Sequence, residues 1–218
     1  MKEIYLVRHG RTYINRYNKM QGWCDTPLTQ EGIDGAKKVA EALKDVPFDI
    51  AISSDTKRAS DTCEIIMAKN RCHQELQHIT SPFFREQFYG FFEGMNSDEA
   101  WRMIAGPHGC QGLKDLLDHY TINEIKDMIH ESDPFHQAED AKTYWQRLDR
   151  GLDMIAQLDG ADKVLLVTHG FTIRSLVARF GKDKFDVKTS PRNASITMMQ
   201  MSGKSITIKA YNQLTLTD

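Results

Sequence analysis

The sequence predicts a three-layer α/β/α fold with a mostly parallel central sheet and a helical cap insertion. Short apolar runs alternate with helix-length amphipathic segments along most of the 218 residues. This alternation is typical of a parallel sheet that is covered by helices on both faces. The rhythm breaks between residues 95 and 140, where no strand-like run occurs. We therefore expect one domain over residues 1–218, with a cap inserted over residues 95–140.

The elements of the main body follow from hydrophobic periodicity. Strands are predicted over residues 4–7, 49–53, 76–79, 163–168, 194–201 and 205–211. Helices are predicted over residues 29–43, 55–68, 141–158 and 171–180, where apolar side chains recur at steps of three and four. The last two strands should be joined at Ser202-Gly203, because glycine favours a tight turn.

The segment between the third and fourth strands has a distinct charge. Residues 94–140 hold three basic and ten acidic residues, a net charge of −7, whereas the rest of the chain carries +5. We expect two helices in this segment. They form either a lid over the body or a pair of solvated surface helices, and the sequence alone leaves both open.

Composition excludes several classes of protein. The chain is 40% hydrophobic and 27% charged with a net charge of −2, which is typical of a globular protein and lacks the basic excess of nucleic-acid binders. No apolar run reaches the roughly 20 residues of a membrane helix, and the first apolar run is too short for a signal peptide. Four cysteines without a C-x-x-C pair indicate free thiols and a cytoplasmic location. Oligomeric state is left open, a homodimer included.

Charged side chains gather where the predicted parallel strands end. Ligands of open α/β sheets bind beyond those carboxyl ends. At these positions stand Arg8, His9, Gly10, Arg58, His169 and Gly170. The two glycines let backbone approach a ligand closely, and the helix after Gly170 points its free N–H groups to the same place. Guanidinium groups match phosphate oxygens, so the pattern predicts a phosphate pocket.

Four motifs in order resemble the signatures of the histidine phosphatase superfamily, also called phosphoglycerate-mutase-like. They are Leu6-Val7-Arg8-His9-Gly10-Arg11-Thr12 with Asn15 and a Gly22-Trp23 to Gly32 stretch, Ser53-Ser54-Asp55-x-x-Arg58-Ala59-x-x-Thr62, Arg85-Glu86-x-x-Tyr89-Gly90-x-Phe92-Glu93-Gly94, and Val167-Thr168-His169-Gly170-x-x-Ile173-Arg174. R-H-G alone is a weak match, whereas the ordered set spans most of the chain and is specific.

The resemblance implies catalysis through a phosphohistidine. His9 would attack phosphorus with one ring nitrogen, while its other nitrogen bonds a backbone carbonyl. The phosphoryl oxygens would be bound by Arg8, His9, Asn15, Arg58, His169 and the N–H of Gly170. Glu86 would protonate the leaving oxygen and then activate water. No metal or other cofactor is implied, because arginine and histidine supply the positive charge.

Within this family the sequence favours hydrolysis of a small phosphorylated metabolite over a mutase reaction. The resemblance implies a basic segment soon after the third motif in mutases, but here residues 95–109 carry only Arg102, inside an acidic insertion. We therefore expect a metal-independent phosphomonoesterase, of the histidine acid phosphatase-like kind. The alternatives are phosphoglycerate mutase-type transfer, a non-catalytic phosphate-binding module and a two-histidine metallohydrolase.

Contacts with the rest of the substrate are expected from the insertion and the loop at residue 22. The candidates are Gly22, Trp23, Phe91, Trp101, Arg102, His108 and Tyr120. Aromatic side chains at such spacing also fit a core. His119 and His130 stand eleven residues apart, which is about three turns of one helix, so a metal site is conceivable and scattered surface histidines are favoured.

Overall fold

A computed structural model describes residues 1–216 and contains one six-stranded sheet. The strands are β1 (Lys2–Arg8), β2 (Ile50–Ser54), β3 (Gln77–Ser81), β4 (Lys163–Thr168), β5 (Ile196–Ser202) and β6 (Ser205–Gln213). Their order is β3-β2-β4-β1-β5-β6. The first four strands in that order are parallel, and β5 and β6 extend the sheet antiparallel. The predicted α/β class with a mostly parallel sheet is confirmed.

Helices cover the sheet and form the inserted segment. They are α1 (Tyr13–Arg16), α2 (Gln30–Leu43), α3 (Lys57–Lys69), α4 (Ser97–Ala105), α5 (Leu113–His119), α6 (Ile122–Ser132), α7 (Ala141–Ala156) and α8 (Gly170–Phe180). The sequence missed α1, a single turn whose start is fixed by a capping box between Thr12 and Asn15. Helix α3 begins two residues later than predicted, because Asp55 pairs instead with Arg85.

The two faces of the sheet pack against different helices, because side chains alternate along each strand. Ile4 and Leu6 of β1 face a core built with α7 and α8. Tyr5 and Val7 face the opposite core, which α2 and α3 complete. Strand β4 alternates in the same way between the two cores, so it is buried on both sides and reads as a continuous apolar run. This packing fixes the strand ends that carry the candidate site.

The inserted segment contains three α-helices where two were predicted. Helices α4, α5 and α6 share an apolar cluster that also takes in Phe171 of α8. A capping box between Thr121 and Glu124 starts a new helix directly after α5. His119 therefore ends α5 while His130 belongs to α6, so these two histidines do not lie on one helix, which agrees with the favoured prediction of scattered histidines. The function of residues 95–140 as a cap stays a prediction.

Within residues 1–216, none of the helices combines the length and the apolar character that crossing a bilayer requires.

Candidate active site

The carboxyl ends of β1 and β4 open into a cavity of about 1110 Å³. Its walls include Arg8, His9, Asn15, Glu86 and Gly170, five of the residues predicted from the strand ends and motifs. Arg58 and His169 are fully buried directly behind His9. The predicted phosphate-binding side chains therefore lie together, and their roles in binding and catalysis stay predictions.

His9 is held as a neutral imidazole with a defined tautomer. Its Nδ1 lies 2.8 Å from the carbonyl oxygen of Gly10, which only accepts hydrogen bonds, so Nδ1 carries the proton. The expected bond to a backbone carbonyl is confirmed. The other nitrogen, Nε2, receives the Nε–H of Arg58 at 3.3 Å. Burial, and then the charges of Arg58 and Arg8, hold the pKa of His9 well below its ordinary value of 6.5.

Arg58 donates hydrogen bonds to both histidines and to the loop at residues 22–25. Its Nη2 donates to Nδ1 of His169 at 3.0 Å and to the carbonyl of Gly22 at 2.6 Å. Its Nη1 donates to Asp25 and to the carbonyl of Cys24 at 3.0 and 2.9 Å. Since guanidinium only donates, Nδ1 of His169 must accept, and the ring proton of His169 sits on Nε2.

The Nε2 atom of His169 is buried and has no hydrogen-bond partner among the described residues. Burial, followed by the charge of Arg58, places the pKa of His169 well below its ordinary value. An unpartnered buried N–H is costly and is resolved when an acceptor arrives. The position therefore fits a phosphoryl oxygen.

Arg8 packs against the first residue of α8. A Cβ on Gly170 would lie 3.0 Å from Nε of Arg8, so any larger residue would push the guanidinium by a few tenths of an ångström. One Nη atom of Arg8 donates to the carbonyl of Pro191 at 2.6 Å, while its Nε is buried without a partner. Burial lowers the pKa of Arg8 to about 10. Gly170, the first residue of α8, lines the same cavity, and a helix N-terminus is favourable for an anion.

Gly10 serves a different purpose from the one expected. A Cβ on Gly10 would lie 2.6 Å from the carbonyl oxygen of Gly32. The residue therefore allows close packing of the β1 end against α2, not close approach of a ligand. Its N–H donates to the hydroxyl of Thr62 at 2.9 Å, which anchors the turn after His9.

Glu86 is buried at the cavity wall, with 5% of its surface exposed. One carboxylate oxygen accepts from the N–H of Phe171 at 2.7 Å, and the other from the hydroxyl of Thr172 at 2.9 Å. The backbone carbonyl of Glu86 accepts from the Trp23 indole and from Arg147. The adjacent Arg85 pairs with Asp55 and not with Glu86. Glu86 is thus oriented by α8 and by two flanking side chains.

Glu93 organises the loop that holds Arg58. Its two oxygens accept from the backbone N–H groups of Gly22, Trp23, Cys24 and Tyr89 at 2.9–3.1 Å. A Cβ on Gly22 would lie 2.2 Å from the carbonyl of Gln87 and from Glu93, so the loop is packed tightly. The carbonyls that this loop presents are those that bind Arg58.

Of the residues predicted to contact the leaving group, only Trp101 lines the cavity, and it stays a candidate. Gly22 and Trp23 lie behind the site, where they position Arg58 and Glu86. The remaining candidates do not line the cavity. Arg102 is exposed, His108 packs on Tyr120, and Phe91 packs on Phe92.

Several cavity residues were not found from the sequence. Gln21 accepts from Thr12 and Asn15, and Asn193 donates to the carbonyl of His9 at 2.9 Å. Pro191 and Asn193 precede β5, which returns antiparallel beside β1 and brings this loop to the site. Arg174 was noted only as part of the fourth motif, yet it lines the cavity with 4% of its surface exposed.

The charge of the inserted segment does not face the cavity. From residues 95–140 only Ser97, Trp101 and Leu113 line it. The cavity cations come from other elements and include Arg11, Lys19, Lys38 and Arg192 besides the arginines described above. The acidic insertion therefore gives no direct reason to exclude a polyanionic substrate, contrary to the argument from sequence.

One group in the inserted segment has a metal-ligand composition. Cys110, Asp115 and His119 place one potential ligand atom each within 4.8 Å of one another. Asp115 is already bonded to the N–H of Gln111, and the carbonyl of Asp115 accepts from Nδ1 of His119 at 2.9 Å. Asp115 and His119 therefore already have hydrogen-bond partners in and around α5.

Comparison with known proteins gives consistent results. The family model of the histidine phosphatase superfamily (branch 1) matches residues 4–214. The uncharacterized phosphatase PhoE of Bacillus subtilis is 30% identical over 213 residues, covering 97% of this chain and 95% of that protein. Phosphoglycerate mutase of Schizosaccharomyces pombe is 30% identical over 178 residues, covering 80% of this chain and 77% of that one. A crystal structure of phosphoglycerate mutase from Bacillus anthracis, 31% identical, has a TM-score of 0.90 and covers 98% of this chain and 93% of its own.

Proposed function

Because the chain belongs to branch 1 of the histidine phosphatase superfamily, we propose that it hydrolyses phosphomonoesters of small metabolites through a phosphohistidine. The observation that carries the proposal is the cradle at the strand ends. A neutral imidazole at His9 faces a cavity with Arg8 beside it and Arg58 and His169 behind it. Phosphoryl transfer needs such positioning and charge stabilisation more than any other contribution.

The first step transfers the phosphoryl group to the protein. The Nε–H of Arg58 releases Nε2 of His9, and the lone pair on that nitrogen forms a bond to phosphorus as the ester P–O bond breaks. The electron pair of that bond stays on the leaving oxygen, which takes a proton from the carboxylic acid of Glu86. The alcohol departs and Glu86 is left as a carboxylate. Arg8, Arg58 and the N–H of His169 stabilise the equatorial oxygens.

The second step returns the group to water. The carboxylate of Glu86 takes a proton from a water molecule as its oxygen attacks phosphorus. The P–N bond breaks, its electron pair returns to Nε2 of His9, and inorganic phosphate leaves. Glu86 is again protonated and the imidazole is again neutral, so atoms, charges and protons balance over the cycle.

Two observations support water as the acceptor. The cavity of about 1110 Å³ leaves room for water beside the cradle, and the inserted segment adds no cation to it. The relative that matches almost end to end, PhoE, is named a phosphatase. Mutase-type transfer is the second candidate, supported by the B. anthracis mutase structure and by the additional arginines in the cavity. The four free cysteines support a reducing, cytoplasmic setting.

The decisive experiment is hydrolysis of p-nitrophenyl phosphate with and without EDTA, on the wild type and His9→Ala. We expect turnover that survives the chelator and falls at least 1000-fold in the variant. His73→Ala, which alters an exposed histidine outside the site, is the matched control. Rapid quenching with a ³²P-labelled ester should leave acid-labile label on the wild type only.

Three results would contradict the proposal. Binding of phosphate without turnover or labelling would indicate a binding module. Loss of activity in EDTA with recovery in zinc would indicate a metallohydrolase. Conversion of 3-phosphoglycerate to its 2-isomer in excess over free phosphate would indicate a mutase.

A further inference from the structure

The cavity contains a second buried guanidinium that the proposed phosphoryl transfer does not use. Arg174 lies on α8 four residues after Gly170, which is one helical turn, about 6 Å along the axis. Helical side chains lean towards the helix N-terminus, so that of Arg174 returns towards the phosphate end of the cavity. It lines the same cavity as Arg8, Glu86 and Tyr89.

Arg174 lacks the carboxylate counter-ion that Arg58 and Arg147 have. Arg58 pairs with Asp25 and Arg147 pairs with Glu139. Among residues 1–216, no carboxylate lies within 4.0 Å of Arg174. Its Nε has no hydrogen-bond partner, and its bond to the carbonyl of Lys188 is long, at 3.4 Å. Burial lowers the pKa of this guanidinium from its ordinary value, and the charge of Tyr211 together with its side-chain hydrogen bond to Arg174 only partly offsets that effect.

A buried charge without a counter-ion is costly, so a ligand group that satisfies it is strongly favoured. Arg8, which we assign to phosphate, shares both features: it has no carboxylate partner and its Nε is unsatisfied. The comparison indicates a second anion position in the cavity. One guanidinium balances one negative charge, and its planar fork matches a carboxylate in size and geometry.

The wall beside Arg174 is aromatic. Trp101 lies 6.4 Å from Phe171 and 6.5 Å from Tyr89, measured between ring centroids. The guanidinium carbon of Arg174 lies 5.7 Å from the centre of the Phe171 ring. All of these residues line the cavity. A leaving group that passes from the phosphate to Arg174 therefore runs along an apolar, flat surface.

We propose that Arg174 binds a carboxylate on the leaving group, and that the substrates are phosphomonoesters with a flat apolar body between the phosphate and that carboxylate. The inference rests on the proposed phosphatase function. It makes Arg174 a specificity-determining residue that contacts the substrate away from the reacting bond. Esters without the carboxylate should still be hydrolysed, at a lower kcat/KM.

The test compares 3- and 4-carboxyphenyl phosphate with their methyl esters, which keep the shape and remove the charge. Wild type should prefer the better-fitting carboxylate by about 10- to 100-fold in kcat/KM, the range of a charge-assisted hydrogen bond. Arg174→Gln should abolish that preference while phenyl phosphate hydrolysis changes less than threefold. Arg174→Lys should retain part of it. The preference is a ratio within each enzyme, so differences in intrinsic ester reactivity cancel when variants are compared.

The control is Arg11→Gln, because Arg11 lines the cavity but is already paired with Glu31 at 2.8 Å. This variant should keep the wild-type preference. Equal rates of the charged and neutral esters on wild type would overturn the inference, and so would an equal loss on all esters in Arg174→Gln. Absence of His9-dependent turnover on phenyl phosphate would instead overturn the proposed function. Should Arg174→Gln fail to fold, Arg174→Lys decides the test, because a wild-type preference in that variant would overturn the inference.

Discussion

Glu93 offers the sharpest test of how the site is held together. Glu93→Gln keeps the shape of the side chain but replaces one acceptor oxygen with an NH₂ group. One oxygen serves Trp23 and Tyr89, and the other serves Gly22 and Cys24. Whichever way the amide turns, two backbone N–H groups lose their acceptor and face a donor.

The magnitude follows from those two lost bonds. A hydrogen bond to a charged group contributes about 1.5–3 kcal/mol, and Glu93 is half-buried, so water replaces part of the loss. We expect a destabilisation of about 2 kcal/mol. For a chain of this size that corresponds to a Tm lower by about 4–8 °C. Displacing the carbonyls that hold Arg58 should also reduce kcat/KM by about 100-fold, the usual effect of a shift near 1 Å.

Two measurements check this reasoning: thermal unfolding, and the kinetics of p-nitrophenyl phosphate hydrolysis. Glu99→Gln, an exposed carboxylate in the first turn of α4, is the control and should match wild type in both. A Glu93→Gln protein whose Tm lies within 1 °C of wild type, with kcat/KM within twofold, would show that the loop does not position Arg58.

Two further predictions concern protonation and space. Because burial and Arg58 hold the pKa of His9 well below 6.5, the nucleophile is neutral at pH 7 and becomes protonated only in more acidic solution. The acidic limb of kcat/KM should therefore lie below pH 6.5, and a pH–rate profile with that limb at or above 6.5 would refute the assignment. Gly170→Ala places a Cβ 3.0 Å from Arg8 and should lower kcat/KM at least tenfold with a Tm change under 2 °C. Gly35→Ala, where the nearest atom is 3.5 Å away, should leave the rate unchanged, and equal rates in both variants would show that Arg8 is not confined.

The body of the fold was predictable because its periodicity is strong. Strand β4 is buried on both faces, so its sequence is continuously apolar, and α7 shows a regular apolar stripe. The third helix of the inserted segment was also within reach. Thr121 followed by Glu124 is the sequence signature of a capping box, and it marks the start of α6.

The site was predictable only where its residues stand at strand ends or in contiguous motifs. His9, Arg58 and His169 lie together because the carboxyl ends of the parallel strands β1, β2 and β4 meet at one edge of the sheet. Gln21 and Asn193 come from irregular loops, and their position depends on where β5 pairs, which no local pattern encodes. The contact that Trp23 makes was missed for a related reason. Its indole reaches Glu86, which is 63 residues away in sequence.

The hydrogen bonds from Arg58 to the imidazole rings of His9 and His169 limit which groups can exchange hydrogen ions. The His9 ring keeps its hydrogen on Nδ1, against the Gly10 carbonyl. The His169 ring keeps its hydrogen on Nε2, because its Nδ1 accepts from Arg58. Neither ring is therefore free to relay hydrogen during turnover. In the proposed cycle a single exchangeable hydrogen, carried by Glu86, would move, and the ionisation of the incoming ester would decide whether a second one enters.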